Sequence, residues 1–429
     1  MAEKRNLRHN SQDIYYRSPA GAVVSGTAIR LALDVDTDEI VTSVIVRVWQ
    51  ENTGETLLTL QEKSTGSVGT RYEGIIQAAD KGTLMWYYFI VNTKNGKFFY
   101  GNNPEHLGGC GQCYDETPAS YQITVVYKGA KTPDWFKRSV MYQIFPDRFC
   151  RQGDRIVRKK NAVIHADWED TPFYYKDVDT KEIVAYDFFG GNLAGIREKL
   201  PYLKELGISV IYLNPIFESA SNHHYDTGDY HKIDPLLGTN EEFVRLTAYA
   251  KELDIRIILD GVFSHTGSDS RYFNRDNHYD TVGAFQSQRS PYYEWYSFKR
   301  YPYEYDSWWG FYTLPNVNET TRSYMDFIID EDDSVLKYWL KAGASGWRLD
   351  VIDELPPQFS QHFYKVLKET DPDAVMIGEV WEDASNKVSY SVQREYLCGH
   401  EIDSAMNYPF RQYVLDFLLQ RTDASACAR

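Results

Sequence analysis

From Ser139 onward the chain keeps repeating one unit, a short and nearly all-apolar run followed by an amphipathic segment of helix length. Apolar runs without polar alternation belong to strands buried on both faces. Strands alternating with helices fold as right-handed βαβ units around a parallel sheet. The runs are Ser139–Phe145, Ile208–Ile216, Ile255–Phe263, Gly346–Val351 and Val375–Val380, with Ile402–Tyr408 read as a sixth. Helices are predicted over Leu193–Leu206, Ser334–Ala342 and Gln358–Lys368, and after Thr239. Thr239 and Glu242 have capping-box spacing ahead of one face made by Phe243, Leu246, Ala250 and Leu253. Pro201 lies inside the first helical segment, which predicts two short helices with Pro201 opening the second; Gly207 is placed to end it. The count favours a (β/α)8 TIM-type barrel over a doubly wound sheet. No G-x-G-x-x-G or P-loop pattern follows a strand, which removes the usual nucleotide readings.

The first 130 residues have a different rhythm. Ile29–Val35, Val41–Trp49, Leu84–Val91 and Tyr121–Tyr127 are short runs rich in Val, Ile, Tyr and Thr, as in a β-sandwich. Asn95-Gly96, between Trp86–Val91 and Phe98–Tyr100, predicts a type I′ hairpin, whose central residues need φ > 0. Residues 128–133 read as a linker. A chain of 429 residues, 43% hydrophobic, is too long for one ordinary core. We expect an N-terminal β-sandwich over 1–130 and a barrel over 131–429, with a small domain inserted at about 266–333.

A net charge of −15 repels phosphate backbones and anionic lipid, so neither nucleic acid nor a membrane surface is an expected partner. Aromatic residues make up 15%, including 34 Tyr and 10 Trp. Such side chains stack on the C–H faces of sugars, and equally fill cores. Five cysteines do not make a disulfide scaffold. Cys110-Gly-Gln-Cys113 lacks the second pair a zinc site needs and reads as an inert loop pair. The N-terminus carries no apolar h-region and no stretch approaches a membrane span, which points to the cytoplasm.

In a barrel of this kind chemistry sits at the C-terminal ends of the strands. Asp260, Asp350 and Glu379 each stand where an apolar run stops. A retaining glycosidase needs two carboxyls roughly 5–5.5 Å apart, which carboxyls on adjacent strands can reach. A strand-end acid also serves to cap the next helix or to pair with an arginine, and each acid alone permits either reading. Arg348, two residues before Asp350, shares its face and is expected to lower its pKa and keep it ionised. Glu379 lies among Ile377, Val380 and Trp381, apolar walls that raise a carboxyl's pKa and suit a proton donor. His265, five residues after Asp260, lies where an imidazole reaches a sugar hydroxyl or serves a structural role.

Asp260-Gly-Val-Phe-Ser-His265, Gly346-Trp-Arg-Leu-Asp350 and Gly378-Glu-Val-Trp381 resemble three of the four signature segments of the α-amylase family of glycoside hydrolases. Val140 to Phe149, Tyr225-Asp-Thr227 and Met406-Asn-Tyr-Pro409 are similar to the neopullulanase, cyclomaltodextrinase and maltogenic amylase branch. The resemblance covers residues 135–420, and the N-terminal part is similar to the carbohydrate-binding-like sandwich of these enzymes. It implies cleavage of α-1,4 glucosidic bonds, with α-1,6 bonds as an option, in maltodextrins, pullulan or cyclodextrins. In that scheme Asp350 is nucleophile, Glu379 general acid/base and Arg348 the residue that orients Asp350. His265, Asp260, His223 and Tyr225 line the subsite of the cleaved sugar, with Tyr225 stacking on its ring. Trp308-Trp309 and nearby tyrosines either extend the glucan cleft or pack the insert. The resemblance also implies a homodimer as an option.

The family's fourth signature, a His-Asp pair after the seventh strand, has no match, and about six strands are legible. The expectation is therefore a truncated barrel, and the rival readings are a catalytically impaired glucan-binding fragment and a transglycosylase. No cofactor is required by this scheme. Calcium is weakly supported: Ser264 and Asn192 stand where relatives carry Asn and Asp. Asp154, Asp187 and Asn192 offer fewer than the six oxygens the ion needs.

Overall fold

The computed structural model describes residues 5–51, 53–153, 159–179 and 183–424. The chain divides into two units, one of residues 1–131, 381–401 and 407–429, the other of residues 132–380 and 402–406.

In the second unit six strands form a parallel sheet in sequential order: β1 (Met141–Ile144), β2 (Val210–Leu213), β3 (Arg256–Gly261), β4 (Gly346–Leu349), β5 (Val375–Gly378) and β6 (Ser404–Ala405). This is the order of a (β/α)8 barrel followed through six strands. The sixth is shorter than the apolar run predicted. Helices α1 (Leu193–Glu205), α2 (Asn240–Glu252), α3 (Val335–Lys341) and α4 (Pro357–Thr370) connect the strands. Side chains alternate across the sheet. Val210, Tyr212, Ile258, Val375 and Ile377 form one apolar stripe with Trp135, Phe136 and Met406 against it. Trp347 takes the opposite face, against Phe217, Phe263 and Phe363.

Local signals explain the helix ends. The Thr239 hydroxyl accepts the Glu242 N–H at 3.2 Å and starts α2. Gly207, at φ 89, turns the chain out of α1. Pro201 does not split that segment, which is a single helix. Proline there withholds an N–H from the Arg197 carbonyl. Both residues lie on the exposed face, where water can satisfy it.

Among the described residues the first unit has eleven strands in one sheet, antiparallel except where Val23–Val24 lies beside Tyr121–Val126. Its long strand Gly54–Thr65 pairs with Val41–Gln50 on one edge and Thr70–Gln77 on the other. Strands from both parts of the sheet share one core, including Leu31, Val46, Phe89 and Ile123. His9 is fully buried there; its Nδ1–H donates to the Ala32 carbonyl at 2.7 Å and Nε2 accepts from the Tyr87 hydroxyl at 2.9 Å. Burial drives its pKa down to about 3. The hairpin at Asn95-Gly96 forms, but neither residue has a positive φ. The Thr93 hydroxyl instead accepts the N–H groups of Asn95 and Gly96, at 3.3 and 3.2 Å, and closes the turn with its side chain. Residues 381–401 join this unit through the Tyr127 N–H to the Cys398 carbonyl, 2.8 Å, and the Thr83 hydroxyl to Glu395, 2.6 Å. Cys110 and Cys113 are free thiols.

Candidate active site

At the C-terminal edge of the parallel sheet the apolar stripe gives way to polar groups. Asp260 on β3 and Arg348 on β4 are register partners, so their side chains lie side by side on one face. Asp350 follows β4, and its N–H continues the ladder to the Gly261 carbonyl at 3.0 Å. Glu379 follows β5, with its N–H on the Leu349 carbonyl at 3.1 Å. The ladder thus brings three carboxyls from three consecutive strands to one level.

Arg348 joins them. Its Nη1 donates to Asp260 Oδ1 and Asp350 Oδ1, both at 2.7 Å, and its Nη2 lies 2.7 Å from Glu379 Oε2. One guanidinium fork therefore spans Asp350 and Glu379. All four side chains are buried. Asp260 also accepts from the hydroxyls of Tyr212 and, at 3.1 Å, Tyr225.

Arg348 was expected to hold Asp350 ionised, and here the outcome differs. Burial pushes Asp350 up to about 8; the Asp260 and Glu379 charges add to the rise and outweigh the pull of Arg348. Burial moves Asp260 in the same direction. One cation does not offset three buried carboxyls, so Asp350 and Asp260 both shift toward the protonated form.

Tyr225 is held from two sides, donating to Asp260 and accepting from Asn214 Nδ2 at 3.0 Å. Its N–H donates to His223 Nδ1 at 3.1 Å, which leaves the proton of neutral His223 on Nε2. The rings of His223 and Tyr225 lie 5.9 Å apart. His265 Nε2–H donates to the Tyr225 carbonyl at 3.1 Å, and Nδ1 faces the Ser264 hydroxyl at 3.0 Å. Both of its ring nitrogens are engaged within the protein, and burial lowers its pKa to about 4. Sequence reasoning brought all seven predicted residues to this one region and missed Tyr212 and Asn214. The signal was present: a Tyr and an Asn two residues apart, Tyr212 inside the otherwise apolar Val210–Leu213 run and Asn214 directly after it.

In the insert, Tyr272, Trp295, Tyr296 and Tyr305 are buried and pack its interior. Trp308 lies 5.3 Å from the His265 ring and stacks on Trp309, also at 5.3 Å. Trp309 is 63% exposed, with Phe311 and Tyr312 beside it in sequence and both 56% exposed. The insert's aromatics thus divide between a packed interior and an exposed group that adjoins His265.

The calcium candidates do not fit a cation. Asp187 Oδ1 accepts from Arg148 Nη2 and Asn222 Nδ2, both at 3.1 Å; its Oδ2 takes His165 Nε2 at 3.0 Å and the Phe173 N–H at 3.1 Å. These four contacts use the acceptor capacity of a carboxylate. Asn192 Oδ1 caps α1 through the Gly195 N–H at 2.8 Å, and its Nδ2 donates to the Gln152 carbonyl at 3.0 Å. A donor therefore points at an oxygen that a cation would need. Asp154 lies outside the described residues. Among the described residues no three His, Cys, Asp or Glu side chains are grouped to hold a metal. No described helix is long and apolar enough to cross a membrane.

The sequential parallel sheet with strand-end carboxyls at its C-terminal edge defines a (β/α)8-type chain with its polar site at the usual end. The α-amylase catalytic-domain model matches residues 143–428, and the chain belongs to the α-amylase family. It is 38% identical to an amylopullulanase of Thermoanaerobacter thermohydrosulfuricus over 97% of this chain and 30% of that protein. A cyclomaltodextrinase of Thermoanaerobacter pseudethanolicus is 36% identical over 82% of this chain and 56% of its own length. Among solved structures, the ligand-free cyclic α-maltosyl-(1→6)-maltose hydrolase of Arthrobacter globiformis superposes with a TM-score of 0.58 at 33% identity, covering 69% of this chain and 61% of that one. The chain spans between about a third and about a half of the length of these two curated relatives.

Proposed function

We propose that this chain carries the catalytic centre of a retaining α-glucan hydrolase, with Asp350 as nucleophile and Glu379 as general acid/base. The observation that carries this reading is the single Arg348 fork that spans Asp350 and Glu379 on consecutive strands. Retaining glycosidases work with two carboxyls at about 5–5.5 Å, close enough for one guanidinium to touch both.

In the first step an Asp350 oxygen attacks the anomeric carbon while the glycosidic oxygen leaves with the bonding electrons and takes the Glu379 proton. In the second, Glu379 removes a proton from water, which displaces Asp350 and restores the α configuration. The reactive form needs Asp350 ionised and a proton on Glu379. Burial favours the protonated form of Asp350, so its proton leaves before the attack. Arg348 orients Asp350 and offsets its charge. Tyr225, His223, His265 and Asp260 line the sugar subsite, and Trp308 and Trp309 extend the cleft as a stacking surface.

The names of the relatives support maltodextrins, pullulan or cyclodextrins as substrates, through α-1,4 and α-1,6 bonds. Placement in the cytoplasm and a homodimer belong to the same reading; activity in lysed cells against medium, and sedimentation, test them. Incubation with maltoheptaose, following reducing ends beside Glu379→Gln, tests the chemistry. New reducing ends that vanish in the variant, with the α anomer formed first, support the reading. Tight binding of maltoheptaose without turnover would replace it with that of a glucan binder.

A further inference from the structure

Val351, directly after Asp350, has φ 36 and ψ 64. A β-branched side chain in that left-handed region is a genuine outlier, and such strain persists only where surrounding contacts enforce it. Here the contacts are specific. The Val351 N–H donates to Glu379 Oε2 at 3.0 Å, and the next N–H, of Ile352, donates to the Glu379 carbonyl at 3.2 Å. In an extended strand successive N–H groups point to opposite edges. The Asp350 N–H does point to β3 and the Val351 N–H to Glu379, as alternation requires. An extended continuation would send the Ile352 N–H back toward β3. The left-handed turn instead delivers two consecutive donors to one residue.

We infer that the turn at Val351 is a positioning device for Glu379, holding Oε2 as an acceptor so that the carboxyl is oriented for proton transfer. The inference rests on the roles of Asp350 and Glu379 proposed above. Oε2 meets two donors, the Val351 N–H and Arg348 Nη2, so a proton on that atom would oppose both. On cleavage the O–H bond of the Glu379 carboxyl breaks and its proton joins the glycosidic oxygen. That oxygen departs with the C–O electron pair, and Asp350 closes the new bond to carbon. Val351 contacts no reacting atom; it acts through Glu379.

The test removes one hydrogen from the full chain. The Val351 amide is replaced by an ester, by placing 2-hydroxy-3-methylbutanoic acid at position 351, and compared with Val351→Gly, which keeps the N–H and admits the same φ. Each protein is assayed on maltoheptaose, whose leaving group needs a proton, and on α-maltosyl fluoride, whose leaving group needs little help. The ester should lower the ratio of kcat on maltoheptaose to kcat on the fluoride by about ten- to a hundredfold, the equivalent of one hydrogen bond to a charged group. Val351→Gly should hold that ratio whatever its absolute rate. Equal losses on both substrates, or a ratio that falls as far in Val351→Gly, would overturn the inference. Should the unmodified chain turn over neither substrate, the functional reading fails. The placement is then decided by the Glu379 signal of a [δ-13C]glutamate-labelled sample, assigned with Glu379→Gln. Its midpoint must rise in the ester, and an unmoved midpoint overturns it.

Discussion

At the scale of single residues the site is ruled by a mismatch of charge, one guanidinium against three buried carboxyls. Asp350 carries a pKa raised from its ordinary 3.8 to about 8, so the folded chain binds a proton there that the unfolded chain releases. Stability from this group is fully present below about pH 4 and is lost as pH rises toward 8. Asp350→Asn removes the titration. It should cost on the order of 10³–10⁶ in turnover, while its stability relative to the native chain improves from pH 4 to pH 8. Urea unfolding at those two pH values checks this, and a variant equally offset at both would refute it. The sequence exposed the members of this cluster because each ends an apolar run. Their ionisation was not legible: it depends on the summed burial and charge of groups from three strands, and pairing Arg348 with Asp350 alone gave the wrong sign. Val351 was equally hidden, since a β-branched residue is the last that composition would place at positive φ.

At the scale of elements, most boundaries follow from local chemistry. The Thr239 cap, Gly207 and the apolar runs of β2 to β5 were all legible. The misses share a cause, a polar partner supplied from just outside the pattern. Thr93 closes the hairpin that Asn95-Gly96 was expected to close by backbone conformation alone. Pro201 stays inside α1 because the carbonyl it abandons faces water. The start of α1 depends on Asn192, whose carbonyl oxygen caps the helix while its amide holds the Gln152 loop. Asn192→Asp keeps the cap and replaces the donor by an oxygen facing a carbonyl. The expected cost is about 1–3 kcal/mol of stability in chelator, partly recovered in millimolar calcium. The native chain should melt at the same temperature in both. Thermal melts of the two proteins with EDTA or calcium decide it, and a calcium-dependent native melt would count against the donor arrangement.

At the scale of the whole molecule, two sets of titratable groups pull stability in opposite directions with pH. His9 in the first unit and His265 in the second are held neutral, with pKa values lowered from 6.5 to about 3 and about 4. The unfolded chain takes up protons there as pH falls below 6.5, so this stability is present above 6.5 and lost on acidification. Asp350, together with Glu319, which burial raises to about 8, loses stability in the other direction. The melting temperature should therefore peak between the ordinary values of 3.8 and 6.5, with a fall of on the order of a few kcal/mol toward pH 3. A scan of melting temperature from pH 3 to pH 9 tests this, and a steady rise through pH 8 would contradict it. The sequential order of β3, β4 and β5 has one more consequence. Because Arg348 touches an acid at the C-terminal end of each of these strands, the four positions form a single epistatic block. A substitution at any of them redistributes protons over the remaining three, and a one-at-a-time alanine scan would credit each residue with the disturbance of all. Variation that survives there should come in compensated pairs, while the surrounding apolar stripe changes position by position.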